Sequence, residues 1–497
     1  MLDACRSASH DGARKRKGTG LYGSHHDTIR RLRWVAPLAI LTATVSHAQQ
    51  DQHDPDAFVL RQRAVEERLR KQFDAELAFA QKSLFDWGGW YSTHIFLFDD
   101  GVESSRTLRR SDLRLWGRLS IDGGAHELYA RGRLSLLDFN SGDSFDGDDD
   151  DVEGPNLERG FYRFDLARAM RAYGDRDIDY NVQLQIGRDL VQFGTGLTLA
   201  APLDHVKLVA TLRDVELTGF IGRTVGSTED FDRSRTATRT RRAFFGAQLR
   251  HRGFERHEPF VYGLWQRDHN AERRAHLFQK FTYDSFYFGM GSTGELRNNL
   301  RYLIEGVYES GSSYGTGRYF GSDEINAWAF DAELEYLYPG PRRARASIEY
   351  LFASGDSNRK QSPTNSIGGN RFDRSDTSFI GFGYRDTGLA LAPRYSNLHM
   401  WRAGGSLYPW PDRSRLERLQ LGADVYLFHK HRRGGAISDV TADRASGYLG
   451  WEMDYYVNWE ATVDLTWTAR FGAFFPGRAF SDRTTRTFLL LGMTWSF

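Results

Sequence analysis

Over most of its length the chain repeats with a period of two, and the residues that alternate with its leucines include arginines. Leu113, Leu115, Leu119 and Ile121 alternate with Asp112, Arg114, Trp116, Arg118 and Ser120. After Asp122-Gly123-Gly124 a second run alternates Leu128, Ala130, Leu134 and Leu136 with Tyr129, Arg131, Arg133 and Ser135. A period of two marks strands, and the Asp-Gly-Gly segment marks the turn between them. An arginine held against lipid at mid-depth costs roughly 2–4 kcal/mol, so the arginine face belongs to an aqueous interior and the leucine face to lipid. The stretch Arg486 to Phe497 repeats the pattern with Leu489, Leu491, Met493, Trp495 and Phe497 on one face, and Gly492, Thr494 and Ser496 on the other. Residues 487–497 hold neither the charge nor the proline that would blunt the edge of a soluble sheet. Together these features predict an all-β membrane protein, an antiparallel transmembrane β-barrel.

Aromatics make up 14% of the residues, and there are 50 glycines, a composition suited to many strands and turns. No apolar run reaches the roughly 18 residues of a spanning helix, and mean hydropathy is −0.56. A barrel escapes that requirement because alternate residues face lipid and lumen. From Gly88 onward the connections alternate in length. Short ones at Arg213-Asp214, 293–296, 339–341 and Asn458-Trp459 trade places with long ones at 138–156, 226–240, 310–323, 355–397 and 429–445. Residues 375–385 look strand-like, but a wall strand there makes the total odd and puts the later long loops on the wrong side. They are therefore assigned to the largest loop, folded into the mouth, and the wall to about 18 strands.

Arg30, Arg31 and Arg33 precede an apolar stretch from Trp34 to Val45 and then Ser46-His47-Ala48, the layout of a secretory signal cut before Gln49. The expected organisation is a signal peptide with an extended charged lead over 1–48, a periplasmic amphipathic helix within 49–83 and the barrel over 84–497. Val65, Leu69, Phe73 and Leu77 recur every four residues between Asp56 and Lys82 without Gly or Pro, so residues 56–82 could pack on the barrel rim or dock a periplasmic partner. Loss of 1–48 removes eight Lys/Arg of 66 and three Asp/Glu of 65, leaving a net charge of −4 and no basic excess for nucleic acid. The single cysteine, Cys5, leaves with it, so neither a disulfide nor a thiolate metal site is expected, and no cofactor is implied. The expected location is the bacterial outer membrane, in contact with its lipid and lipopolysaccharide.

Two motifs mimic catalysis. Gly311-Ser312-Ser313-Tyr314-Gly315 fits G-x-S-x-G but has no following helix. Gly289, Gly291 and Gly294 fit G-x-G-x-x-G but enter a hairpin. An acidic run including Asp146, Asp148 and Asp150 is a weak divalent-cation candidate on an outer loop, without the glycine offset of an EF-hand. Trp87, Trp90, Tyr91, Trp401, Trp410, Trp459 and Trp495 fit interfacial girdles.

By parity the lumen gathers Arg114, Arg118, Arg131, Arg133, Lys207, Arg301, Arg418 and Arg470. It also gathers Glu216, Glu305, Asp331, Glu333, Glu335, Asp424, Glu452, Asp454 and Asp464. The basic groups lie on early strands and the acidic ones on later strands, with some pairing expected across the barrel seam. Two readings stay open, a selectivity constriction and ion pairs that merely satisfy one another. On the first, the four arginines Arg114, Arg118, Arg131 and Arg133 attract carboxylates or phosphates, while Glu305, Glu452 and Asp454 set the opposing field and orient them.

Several segments are similar to the alginate-export family of outer-membrane channels. They are Ile186-Gly187-Arg188 with Phe193-Gly194, Leu203-Asp204-His205-Val206-Lys207-Leu208, Tyr302 to Tyr308 with Glu305, Ala353-Ser354-Gly355-Asp356, Gly450-Trp451-Glu452-Met453-Asp454 and Phe474-Phe475-Pro476-Gly477. The terminal strand likewise resembles the closing strand of bacterial outer-membrane barrels. The resemblance implies an 18-stranded monomeric barrel with an arginine-rich constriction that passes an acidic polysaccharide outward. The expected function is passive, charge-selective passage of a polar or acidic solute. The alternatives are a substrate-selective porin taking up small anions or oligosaccharides and, from another class, an outer-membrane hydrolase or adhesin.

Overall fold

The computed structural model describes residues 83–497 except 100, 102–104, 141–149, 175, 227, 233, 235–238, 271–281, 316–321, 360 and 366–374. The expected signal, the 56–82 helix, Asp146 and Asp148 lie outside the described residues. The wall consists of β1 (Ser83–Asp99), β2 (Arg106–Ile121), β3 (His126–Phe139), β4 (Asp151–Asp165), β5 (Tyr180–Phe193), β6 (Leu199–Leu212), β7 (Val215–Thr224), β8 (Arg242–His251) and β9 (His257–Asp268). It continues with β10 (Asp284–Arg297), β11 (Leu300–Gly315), β12 (Ser322–Leu337), β13 (Arg345–Ala353), β14 (Leu398–Leu407), β15 (Leu419–Lys430), β16 (Tyr448–Glu460), β17 (Leu465–Pro476) and β18 (Arg486–Ser496).

Each wall strand pairs antiparallel with its sequence neighbour, and β1 pairs with β18 from Trp90↔Ser496 to Asp99↔Thr487, so the sheet closes. Closure removes the exposed edges that lipid cannot satisfy. A two-residue strand, Ser375–Asp376, pairs parallel with Glu324 and Ile325 inside the largest loop and is not part of the wall. The connections alternate as expected. One rim carries tight turns such as Arg213-Asp214, and the other carries long loops, including 354–397 and 431–447. Two connections on the turn rim are longer, 408–418 and 166–179, and the second holds α1 (Leu166–Gly174), which replaces the last residues expected in the fourth strand. The turns expected at 293–296 and Asn458-Trp459 fall a few residues later, because β10 and β16 run on to Arg297 and Glu460. The G-x-S-x-G segment is the end of β11 rather than a loop.

The outward face is apolar along strand after strand, with Leu115, Leu128, Ile186, Leu208, Ile221, Val425 and Leu491 exposed. Trp87, Trp401, Trp410 and Trp495 are exposed as girdle residues should be. Trp90 is the exception. It is 2% exposed and points inward, where the Arg114 and Arg131 guanidinium groups lie 5.9 and 5.4 Å from its ring. Its indole fills wall space between two cations and stabilises both through its π face. Arg418 and Asp464 also depart from the parity assignment, since both lie in turn-rim connections outside the strands.

The two-faced wall predicts the effect of one substitution. Leu208→Arg, in the middle of β6 and facing outward, should destabilise the barrel in lipid vesicles by roughly 2–4 kcal/mol. Denaturant titration of the reconstituted protein measures this, and no loss would place Leu208 off the lipid face.

Candidate channel interior

The inner face of β2, β3 and β4 is an arginine ladder, and every rung has an acidic partner. Asp112 takes Arg110 Nε at 3.1 Å and Arg114 NH1 at 3.2 Å. Glu158 receives Arg114 Nε at 3.1 Å and Arg131 Nε at 2.7 Å, with Arg133 NH1 at 3.8 Å. Arg133 also reaches Glu153 at 3.5 Å, and Arg118 pairs with Asp86 on β1. Arg159 with Asp189 at 2.7 Å and Arg163 with Glu127 at 2.6 Å extend the row. The expected pairing across the seam is replaced by pairing within β1–β5, because carboxylates on these strands, including Glu158 at a bulge in β4, lie closer than those across the seam.

Register slips between Arg131 and Gly132 and again between Arg133 and Ser135, next to Gly154 and Pro155. Glu158 is the residue left over at the first slip, so it shares the inward face with Arg159 although simple alternation sends it outward. Three arginines share this one carboxylate. Buried ions of one sign would not stay so close without it. Arg118 and Arg133 keep 17% and 20% of their side chains accessible inside the bore, against 7% and 5% for Arg114 and Arg131.

The opposite side of the bore is occupied by described residues of the 354–397 loop, notably 379–395, which fold inward. Ile380 donates its N–H to Glu309 at 2.9 Å and accepts from the Tyr287 hydroxyl at 2.6 Å. Phe382 donates to the Thr198 carbonyl at 2.8 Å and accepts from Ala200 at 3.1 Å, laying the loop along the β5–β6 connection. Leu389, Ala390 and Leu391 then point three successive N–H groups at the Glu452 carboxylate, at 2.5, 2.6 and 2.9 Å. At this turn Gly388 has φ +95, and a Cβ there would stand 2.7 Å from Glu452 Oε1, so a side chain is excluded. Arg385 leaves the loop to bind Asp331 at 2.6 Å and Thr195, with Glu305 at 3.7 Å. Beneath the loop, Phe379, Ile380 and Tyr395 join a continuous apolar core with Phe193, Phe244, Tyr262, Tyr287 and Phe428.

These contacts correct the roles expected of the later-strand carboxylates. Glu452 is fully buried and orients the loop backbone rather than any β2 or β3 arginine. Asp454 is buried two residues further along the same strand face. Glu305 accepts from the Tyr262 hydroxyl at 2.6 Å and the Thr195 N–H at 3.0 Å. A loop inside a barrel brings backbone donors with it, and donors withdrawn from water require acceptors on the wall. Arg402 on β14, not among the lumen residues expected from alternation, holds Glu349 at 3.2 Å and Asp424 at 2.9 Å. Its alternation with outward Trp401 could have revealed it. Arg385 had no such signal, since it sits in no strand.

The remaining candidates lie apart from both networks. Lys207 is half-buried on the inner face of β6, opposite Gln185. Arg301 stands at the turn rim, 56% accessible, 3.6 Å from Glu295 and 4.0 Å from Glu335. Asp150 accepts the Phe139 N–H at 2.8 Å. Among the described residues no cluster of His, Cys, Asp and Glu is placed to hold a metal ion.

Glu452→Ala should free the loop, because each buried N–H left unpaired costs about 1–3 kcal/mol. The expected record is a noisier open-channel current with raised mean conductance in a planar bilayer. A trace like that of the parent would mean that the other anchors suffice.

The family model for alginate export matches residues 224–491, more than half of the chain. Crystal structures of three Pseudomonas aeruginosa porins resemble the fold. OccK5 (OpdH) has a TM-score of 0.53 at 10% identity, covering 85% of this chain and 100% of that one. OpdK, solved with vanillate, has 0.52 at 10% identity over 83% and 98%. OccK11 (OpdR) has 0.50 at 12% identity over 85% and 99%. No curated protein matches the sequence. At such identities the porin likeness shows the barrel alone, whereas the family match extends from the end of β7 into β18 and takes in the inward loop with its anchors Glu309, Asp331 and Glu452. With its closed lipid-facing wall and polar bore, the chain is a bacterial outer-membrane channel that belongs to the alginate export family.

Proposed function

We propose that the channel passes an acidic solute passively, with an acidic polysaccharide moving outward as its passenger class. The observation that carries this reading is the unequal fate of the two charged walls. Five carboxylates of later strands, which would repel a polyanion, are taken up: Glu452 by three loop N–H groups, Glu305 and Asp331 by Arg385, and Glu349 and Asp424 by Arg402. On the ladder, Arg114, Arg131 and Arg133 crowd around Glu158, with Asp112 and Glu153 as further partners of Arg114 and Arg133, and Arg118 and Arg133 remain in contact with the bore. Fixed cations along a narrow aqueous path favour anions through the local field, without any covalent step.

The narrowing loop favours a second reading, uptake of a small anion. OpdK, a porin of similar fold, carries vanillate in its structure. A small organic anion that permeates freely while a uronic-acid oligomer neither permeates nor blocks would support this second reading.

Two sets of variants test the proposal through reversal potentials in asymmetric salt. Replacing Arg114, Arg118, Arg131 and Arg133 by Ala should shift selectivity towards cations, and unchanged potentials would remove the ladder from permeation. Glu158→Gln, which takes away the shared negative charge, should shift selectivity the other way, towards anions. Each change should fade as salt rises and the Debye length falls below about 8 Å.

A further inference from the structure

On the outer wall, at the long-loop ends of three consecutive strands, the apolar belt gives way to arginine. Along β7 the outward residues run Leu217, Ile221 and then Arg223. Approaching β8 they run Leu249, Ala247, Phe245, Ala243 and then Arg241, and along β9 Val261, Trp265 and then Arg267. All three arginines are exposed. Register places Arg223 and Arg267 on either side of Ala243, one strand away in each direction. Their Cα atoms are therefore ~10 Å apart, with Arg241 ~7 Å further along the middle strand on the same face. The residue they surround is an alanine, which leaves room over the sheet for a group that all three long side chains can reach.

Among the described residues, the charges of this patch are not spent on the protein. Among the described residues none of the three guanidinium groups has an ion-pair partner; the Arg267 guanidinium lies 5.3 Å from the Trp265 ring. Asp204, opposite Arg223 in register, is already gripped by Arg188 through both oxygens at 2.7 and 3.2 Å. Asp284 on β10 accepts the Asp268 N–H at 2.8 Å. Immediately below the arginines, Ile221, Phe245 and Trp265 form an exposed apolar surface, with the last two rings 5.4 Å apart.

We propose that Arg223, Arg241 and Arg267 bind the phosphate of a phosphorylated glycolipid of the outer leaflet, lipopolysaccharide, whose acyl chains descend over Ile221, Phe245 and Trp265. The position decides the ligand. Guanidinium groups on the lipid-facing side, above an apolar belt and at the loop rim, stand at headgroup level, where phosphate is the anion presented. Guanidinium forks also match phosphate oxygens. The site lies outside the bore and does not depend on what the channel conducts.

The test titrates the purified full chain in neutral detergent with diphosphorylated lipid A, the same lipid dephosphorylated, and inorganic phosphate, and follows binding by native mass spectrometry. The parent should bind the phosphorylated lipid in preference to the other two probes. Replacing all three arginines with Gln should weaken this binding roughly tenfold or more, and replacing them with Lys should restore part of it. Conductance should stay unchanged in every variant. Should the triple Gln variant fail to assemble, Arg223→Gln alone should still show a measurable loss. Equal binding of the dephosphorylated lipid, equal affinity in the Gln and parent proteins, or tight binding of free phosphate would each overturn the proposal.

Discussion

Everything in this molecule depends on the pairing of β1 with β18. Lipid offers no hydrogen bonds, so a sheet can stand in it only when its first and last strands satisfy one another. Here the seam runs from Trp90↔Ser496 to Asp99↔Thr487 and is extended by Gly89 and Phe497, which exchange N–H···O bonds of 2.9 and 3.0 Å. Once the cylinder is closed, every strand has a wet face and a greasy face. Away from the rims, most polar side chains of the wall converge on a common interior, where they must satisfy one another.

The charge network of the bore follows from that confinement. On the β2–β4 side, cations outnumber the nearby carboxylates, and a bulge turns Glu158 inward to serve three of them. On the opposite side the described residues of the 354–397 loop enter the bore with N–H groups that need acceptors, and the wall meets Ile380 and Leu389 to Leu391 with glutamates. Loop and arginine ladder thus divide the interior. One side is closed by an apolar core and anchored backbone, and the other keeps accessible guanidinium groups. The same principle operates on the outside, where the arginines of β7–β9 end the apolar belt at its rim.

Much of this was legible before any coordinates. The period of two, the cost of an arginine in lipid and the alternation of short and long connections together implied an even-numbered barrel. Counting strands also excluded 375–385 from the wall, and the structure finds there only Ser375–Asp376, within the inward loop. Alternation failed where the backbone breaks its own rhythm. Glu158 changed face at a bulge, and Trp90, which looked like a girdle residue, proved to fill the space between Arg114 and Arg131. The acidic residues of later strands were placed on the correct face, but their partners were not visible. Glu452 binds residues more than sixty positions away, in a loop with no periodicity to follow.

The sequence by itself determined the two-faced wall, its strand number and the sign of the charges on each strand, because these follow from local alternation and from the cost of misplacing a charge in lipid. Only the tertiary structure decided which charges remain exposed to the bore. That outcome depends on where one long loop comes to rest and on which wall carboxylates it consumes, and a buried donor takes the nearest acceptor in space, whatever its distance along the chain.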